Sequence, residues 1–221
     1  MSNKTTPTKN EKAIPIKVIL VGESGVGKTS IILSFLNRYQ GKTEVTLGAY
    51  FSNKTIIIDG YKLDFEIWDT AGQEQYRAIN SLFYKDTSIC LLVYDITKKG
   101  TFESIKNYWY YSVVENGREG IIFGIAGNKM DLFEDEEVSE KELEEFSNSI
   151  NACYNLTSAK VFNSVNDIFV KLGKKFIESN FMKELIPQYI TKDSKPEDKI
   201  DPVKVETKIK EKKIKKESRC C

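Results

Sequence analysis

Apolar residues in this chain fall into short unbroken runs and into spaced stripes, and the two kinds alternate. "IKVILVG" (16–22) is a continuous apolar run closed by glycine, the pattern of a strand buried on both faces. At about 28–37 the spacing of Ile31, Ile32, Phe35 and Leu36 predicts a helix with one apolar stripe. "YFSNKTIIIDGYKLDFEIWD" (50–69) holds two strand-like runs around Asp59-Gly60, a strong hairpin signal. "SICLLVYDI" (88–96) and "IIFGIAGNK" (121–129) read as further buried strands, and "INACYNLTS" (150–158) contains a weaker one. Helical segments are expected near 101–116, 139–150 and 161–180. Strands alternating with helices of ten or more residues predict an α/β fold built on a mostly parallel sheet. The hairpin adds one antiparallel edge strand. Residues 1–13 are too polar to fold and are expected to be a disordered extension. The pattern stops again at Pro187, so 14–186 is the expected domain and 187–221 a flexible, basic tail.

A length of 221 residues suits one well-buried domain with tails. The net charge of +1 conceals a basic C-terminal end. No run of eighteen apolar residues occurs, so no transmembrane helix is expected. "MSNKTTPTKNEK" lacks the apolar centre of a secretory signal. Four cysteines in a chain of this length make no disulfide framework, which fits a reducing compartment. Histidine is absent, which excludes Ser-His-Asp and Cys-His catalysis and every histidine-bearing metal site.

Chemistry enters at "GESGVGKT" (22–29), which fits G-x-x-x-x-G-K-[ST] and lies between a buried strand and a helix. There the backbone N–H groups of Glu23, Ser24, Gly25, Val26 and Gly27 can curl around a diphosphate, with Lys28, Thr29 and Ser30 opening the helix behind it. Lys28 is placed to reach the β- and γ-phosphates, and the Thr29 hydroxyl can ligate Mg²⁺. Such a loop alone could serve a kinase, an ATPase or a GTPase.

"NKMD" (128–131), at the end of a later strand, separates these. Guanine offers two adjacent donors, and one carboxylate, Asp131, can accept both. Adenine offers a bare nitrogen there and would leave the carboxylate unpaired, a discrimination worth roughly 10⁴–10⁵. "WDTAGQE" (68–74) supplies the third piece. Asp69 at a strand end can hold Mg²⁺, Gly72 lets a backbone N–H approach a γ-phosphate, and Gln73 can orient a water without being a base.

These motifs, with "TSAK" (157–160), occur in the order and approximate spacing of the Rab family of small GTPases, within the Ras superfamily. The chain resembles that family over about 14–180. The resemblance implies a six-stranded P-loop GTPase fold with helices on both faces of its sheet. It implies a GTP-binding switch that slowly hydrolyses GTP to GDP and recruits effectors to a membrane in vesicular trafficking. Gln73 and Lys28 are then the catalytic residues, with Thr29, Thr46 and Asp69 at Mg²⁺. The phosphates fall to the loop residues named above and to Gly72. Asn128, Lys129, Asp131, Ser158, Ala159 and Lys160 hold guanine, and Tyr39 shields it, although the segment from Lys28 to Tyr39 is one residue shorter than the family pattern. Phe51, Trp68 and Phe83 match an effector-binding aromatic triad whose third member is commonly tyrosine. Glu23 and "GAYF" (48–51) resemble the endosomal branch, while "EQYR" (74–77) departs from the usual "ERYR" or "ERYH".

The implied partners are an exchange factor, a GTPase-activating protein, a GDP dissociation inhibitor and effectors. The implied location is the cytoplasmic face of an intracellular, endosomal membrane, with a cytosolic pool. Competing readings are a small-molecule phosphotransferase, which leaves "NKMD" and "TSAK" unused, and a scaffold that no longer hydrolyses. No nucleic-acid partner is expected. The aromatics of "NYWYYSVV" (107–114) put Tyr108, Trp109 and Val113 at helical spacing, a core-facing stripe. Cys90 reads as a small buried hydrophobe. Cys220 and Cys221 follow a segment with no core to bury a thiol, and a disulfide between neighbours would be strained. They resemble the doubly geranylgeranylated ending of Rab proteins. Stable anchoring generally takes two signals, and the lysines before them add attraction to anionic lipid.

Overall fold

The structure, a computed structural model, describes residues 12–41, 43–44, 46, 48–70 and 77–189. Six strands form one sheet in the order β2-β3-β1-β4-β5-β6. They are β1 (Ile14–Val21), β2 (Ala49–Ile58), β3 (Tyr61–Thr70), β4 (Ile89–Asp95), β5 (Ile122–Asn128) and β6 (Cys153–Thr157). β2 pairs antiparallel with β3, and every other pairing is parallel. The hairpin turns where the sequence places it. Asp59 and Gly60 both take positive φ, 48° and 87°, the pair of conformations that a two-residue turn between twisted strands requires.

The helices are α1 (Lys28–Phe35), α2 (Arg77–Tyr84), a helix over 99–116 here called α3, α4 (Glu140–Ser149), α5 (Phe162–Ile177) and α6 (Asn180–Tyr189). α3 is continuous but not uniform: Lys99–Ser104 is α-helical, Ile105–Trp109 is a π turn, and Tyr110–Asn116 is α-helical again. Alternation along the strands divides the core. Val18, Leu20, Leu63, Phe65 and Leu91 point to one face, against Ile31 and Phe35 of α1 and Phe169, Leu172 and Phe176 of α5. Ile19, Val21, Cys90 and Leu92 point to the other, against Ile105, Trp109 and Val113 of α3 and Leu143 of α4. β4 and β5 are buried over their full length, as strands covered on both faces must be.

Two elements depart from the sequence expectation. One is α2, which the sequence reading does not contain. The pattern expected to end at Pro187 instead gives a separate helix that continues to Tyr189. Packing explains its persistence: Phe181 and Met182 are buried in the same core as Ile14 and Phe176. The Arg118 guanidinium lies over the Phe181 ring at 4.1 Å and pairs with Glu184 at 3.5 Å. Pro15, Ser88 and Arg118, which precede or open β1, β4 and β5, line one hollow with Phe181 and Leu185. α6 thus sits at the amino ends of these strands. Among the described residues no helix is long and apolar enough to cross a membrane.

Candidate functional site

The carboxyl ends of β1, β3, β4, β5 and β6 deliver Gly22, Asp69, Asp95, Asn128 and Thr157 to one edge of the sheet, where open α/β sheets bind ligands. A cleft of about 470 Å³ opens there, of a size that suits a small-molecule ligand. The phosphate loop forms one end of it, with Ser24, Gly25, Gly27, Lys28, Thr29 and Ser30 on its wall. Gly27 takes φ 98°, and a Cβ there would stand 2.3 Å from the Asn128 amide nitrogen, so no other residue fits. The Val26 side chain is buried in the core, which leaves only its backbone for a ligand. Glu23 turns its side chain away and accepts from the Trp109 indole N–H at 3.1 Å.

Lys28 is buried, and its ammonium donates to the carbonyls of Gly22 at 2.9 Å and Glu23 at 3.0 Å. Burial pulls its pKa down to about 8, although Asp69 and Glu23 oppose the shift. Beside it three oxygens meet. Thr29 Oγ1 donates to Asp69 Oδ2 at 2.7 Å and lies 2.8 Å from Thr46 Oγ1, which itself donates to Asp69 Oδ2 at 3.4 Å. Burial pushes the Asp69 carboxyl above its ordinary range, against the hydrogen bonds and the Lys28 charge. Its second oxygen, Oδ1, is buried and has no hydrogen-bond partner among the described residues. One carboxylate and two hydroxyls, with an orphaned anionic oxygen, fit a hard divalent cation, which takes oxygen ligands.

The far end of the cleft is built from three segments. Asp131 Oδ1 accepts from Ser158 Oγ at 2.6 Å, and its Oδ2 pairs with the Lys160 ammonium at 2.6 Å. Desolvation would raise the Asp131 pKa, but these bonds from Lys160 and Ser158 outweigh it and hold the carboxyl below its usual range. Ala159, Lys160, Leu132 and Tyr39 line the same end. Asn128 is placed differently from Asp131. Its amide donates to the Val26 carbonyl at 2.8 Å and its Oδ1 accepts from Thr157 at 3.3 Å, so it braces the phosphate loop.

Lys129 takes a left-handed φ of 69°, and its ammonium pairs at 2.6 Å with Asp95, a fully buried carboxylate at the end of β4. Thr97 caps the other Asp95 oxygen through its N–H and hydroxyl, at 3.1 and 2.8 Å. Asp95 was not singled out from the sequence. The signal was present: a lone charge closes an otherwise apolar strand at the sheet edge where ligands bind.

Outside the cleft, Phe51 and Trp68 face each other across the β2–β3 register with ring centroids 5.4 Å apart. Phe83 lies 5.4 Å from Trp68, so the structure brings both other aromatics against the Trp68 ring. Phe51 is exposed, while Trp68 is half-buried rather than open, with Lys17 5.7 Å over its ring. Trp109 and Val113 are buried, as their spacing requires. Cys90 is fully buried, and its thiol pKa is pushed up by that burial. Gly72, Gln73, Cys220 and Cys221 lie outside the described residues.

Comparison with known proteins places this geometry in context. The Ras family pattern matches residues 17–178. The chain is 38% identical over 161 residues to the Ras-related protein Rab-22A of Homo sapiens, a span covering 72% of this chain and 82% of that protein. It is 38% identical over 169 residues to the human Ras-related protein Rab-21, covering 76% and 75%. It is 36% identical over 178 residues to the GTP-binding protein ypt5 of Schizosaccharomyces pombe, covering 79% and 83%.

Proposed function

Because the chain belongs to the Ras family, among the Rab small GTPases of the endosomal branch, we propose that its cleft holds guanine nucleotide and that its residues run a GTP-driven switch in vesicular trafficking. One observation carries the site assignment. The Asp131 carboxylate, fixed by Ser158 and Lys160, closes the end of a cleft whose other end is the phosphate loop. That arrangement fits a ligand with a donor-rich base edge and a polyphosphate. A phosphotransferase using adenine nucleotides is not favoured, since Asp131 would meet an acceptor.

In this reading the loop N–H groups and Lys28 bind the phosphates, and Lys28 leaves its loop carbonyls to do so. Asp131 accepts the two guanine donors. Lys129, steered by Asp95, packs along the base, and Tyr39 shields it. Thr29, Thr46 and Asp69 are the residues that would hold Mg²⁺, which when bound offsets negative charge on the β- and γ-phosphates. Gln73 orients the attacking water, while Lys28 stabilises charge that develops on the phosphoryl oxygens. Phosphoryl transfer needs positioning and charge rather than a strong base, which is how a chain without histidine can carry it.

Thr46 stands at the Thr29–Asp69 cluster, where a γ-phosphate would add to its hold and hydrolysis would weaken it. Phe51, Trp68 and Phe83 would present this change to effectors on endosomal membranes. An exchange factor, an activating protein and a GDP dissociation inhibitor would drive the cycle. The test is calorimetry of the purified full chain with Mg²⁺ and GDP, GTP, ADP or ATP. Tight binding of both guanine nucleotides, with adenine nucleotides weaker by about three orders of magnitude or more, is expected. Equal affinity for the two bases would overturn the assignment.

A further inference from the structure

Every other polar group on the wall of the phosphate loop suits an anion, yet the loop contains a carboxylate, Glu23. An acid in a phosphate cradle repels its ligand unless something keeps it turned away. The structure supplies that constraint from a distant element: the Trp109 indole N–H donates to Glu23 Oε1 at 3.1 Å, across 86 positions of sequence. Trp109 is fully buried, as are Ile105 and Val113, so the indole cannot swing to follow the carboxylate. It closes the π turn Ile105–Trp109, a rare helix distortion that recurs at functional sites and here lies in the helix facing the loop. The loop is therefore held from two sides, by Asn128 at the Val26 carbonyl and by Trp109 at the Glu23 side chain. Between these points lie the backbone N–H groups of the cradle, and the Glu23 carbonyl is itself a resting contact of Lys28.

We propose that Trp109 is a positioning residue of the phosphate loop, holding the Glu23 carboxylate out of the cradle and so setting how long nucleotide stays bound. This rests on the nucleotide reading above. Trp109→Phe keeps an aromatic in the core and removes the donor. Release of a fluorescent GDP from the Mg²⁺-loaded full chain should become about tenfold faster, the size expected when a hydrogen bond to a charged group is lost. A packing defect alone would do the same in any background, so the deciding measurement is the same substitution made with Glu23→Gln. There the released side chain carries no charge, and the acceleration due to Trp109→Phe should shrink to about twofold or less.

The acceleration in the Glu23 background should also weaken between about 0.05 and about 0.5 M salt, as repulsion between carboxylate and phosphates is screened. If Trp109→Phe melts well below the wild type, 3-benzothienylalanine at position 109, which has the indole's shape without its N–H, carries the same comparison. Equal acceleration in both backgrounds, or none in either, overturns the inference alone. A wild-type chain that binds no guanine nucleotide overturns the nucleotide reading, and this inference with it.

Discussion

Asn128 donates its side-chain amide to the Val26 carbonyl at 2.8 Å, joining the end of β5 to the phosphate loop that follows β1. The bond is buried and spans 102 positions of sequence. It ties the strand that leads to Asp131 to the phosphate loop at the other end of the cleft. Asn128→Ala should therefore speed GDP release by about tenfold or more and lower stability by about 1–3 kcal/mol, since a buried carbonyl is left unpaired. Nucleotide release and thermal melting of the same preparation would check this. A variant that melts normally and releases GDP at the wild-type rate would show that the brace is idle.

Asp131→Asn should separate base reading from phosphate binding. An amide cannot accept both guanine donors, so GTP affinity should fall by about 10³-fold or more. Xanthine nucleotides carry a carbonyl where guanine carries its amine, and the new amide can donate to it. Calorimetry with GTP and xanthosine triphosphate should show the preference reversed; unchanged GTP affinity would remove Asp131 from the base site.

The depressed pKa of Lys28 predicts two pH effects of opposite sign. In the free protein the ammonium titrates at about 8, whereas phosphates around it would hold its proton more tightly. Binding above pH 8 should thus take up close to one proton, and affinity should fall by up to about tenfold per pH unit there. The nucleotide-free protein behaves the other way. Its folded-state pKa lies below the unfolded 10.5, so the unfolded chain binds more protons between about 8 and 10.5, and this group adds stability as pH rises through that window. Calorimetry in buffers of different ionisation enthalpy reads the uptake. Zero uptake at pH 9 would show that Lys28 does not meet the phosphates.

Gln73→Leu should leave GDP and GTP affinity within about twofold of the wild type while slowing hydrolysis, most of all the rate stimulated by an activating protein. The reason is that the amide is proposed to touch only the attacking water. Single-turnover measurement of phosphate release decides it, and a wild-type stimulated rate would assign the water to another group.

Replacing Cys220 and Cys221 together with serine should move the protein from membranes to the soluble fraction in its native cells without changing nucleotide affinity. A single lipid chain anchors only marginally, so each single replacement should leave a partial membrane fraction. Mass spectrometry of the C-terminal peptide gives the direct answer: an unmodified peptide from the membrane-bound wild type would exclude lipidation.

β1, β4 and β5 were legible in the sequence as contiguous apolar runs and β2 and β3 as a hairpin around Asp59-Gly60, and the cleft was legible where its chemistry is contiguous, as at 22–29 and 128–131. What stayed hidden is carried by long-range contacts. Asp95 is 34 positions from Lys129, Thr157 is 29 from Asn128, and Trp109 is 86 from Glu23. Trp109 was read correctly as core, but nothing in its spacing reveals that one edge of a core indole serves the phosphate loop. α6 was hidden for a related reason. Phe181 and Met182 hold it by burial in the core with Ile14, near the start of the described chain.

That helix has a mechanical consequence. Anything that pulls on the chain beyond Tyr189 loads α6 first, at the amino ends of the strands. Phe181, Met182 and the Arg118 contacts must give way before tension reaches α5. The cleft lies at the opposite ends of the same strands, a strand's length away. By this placement α6 would act as a strain relief, a short clasp between the end of the described chain and the cleft.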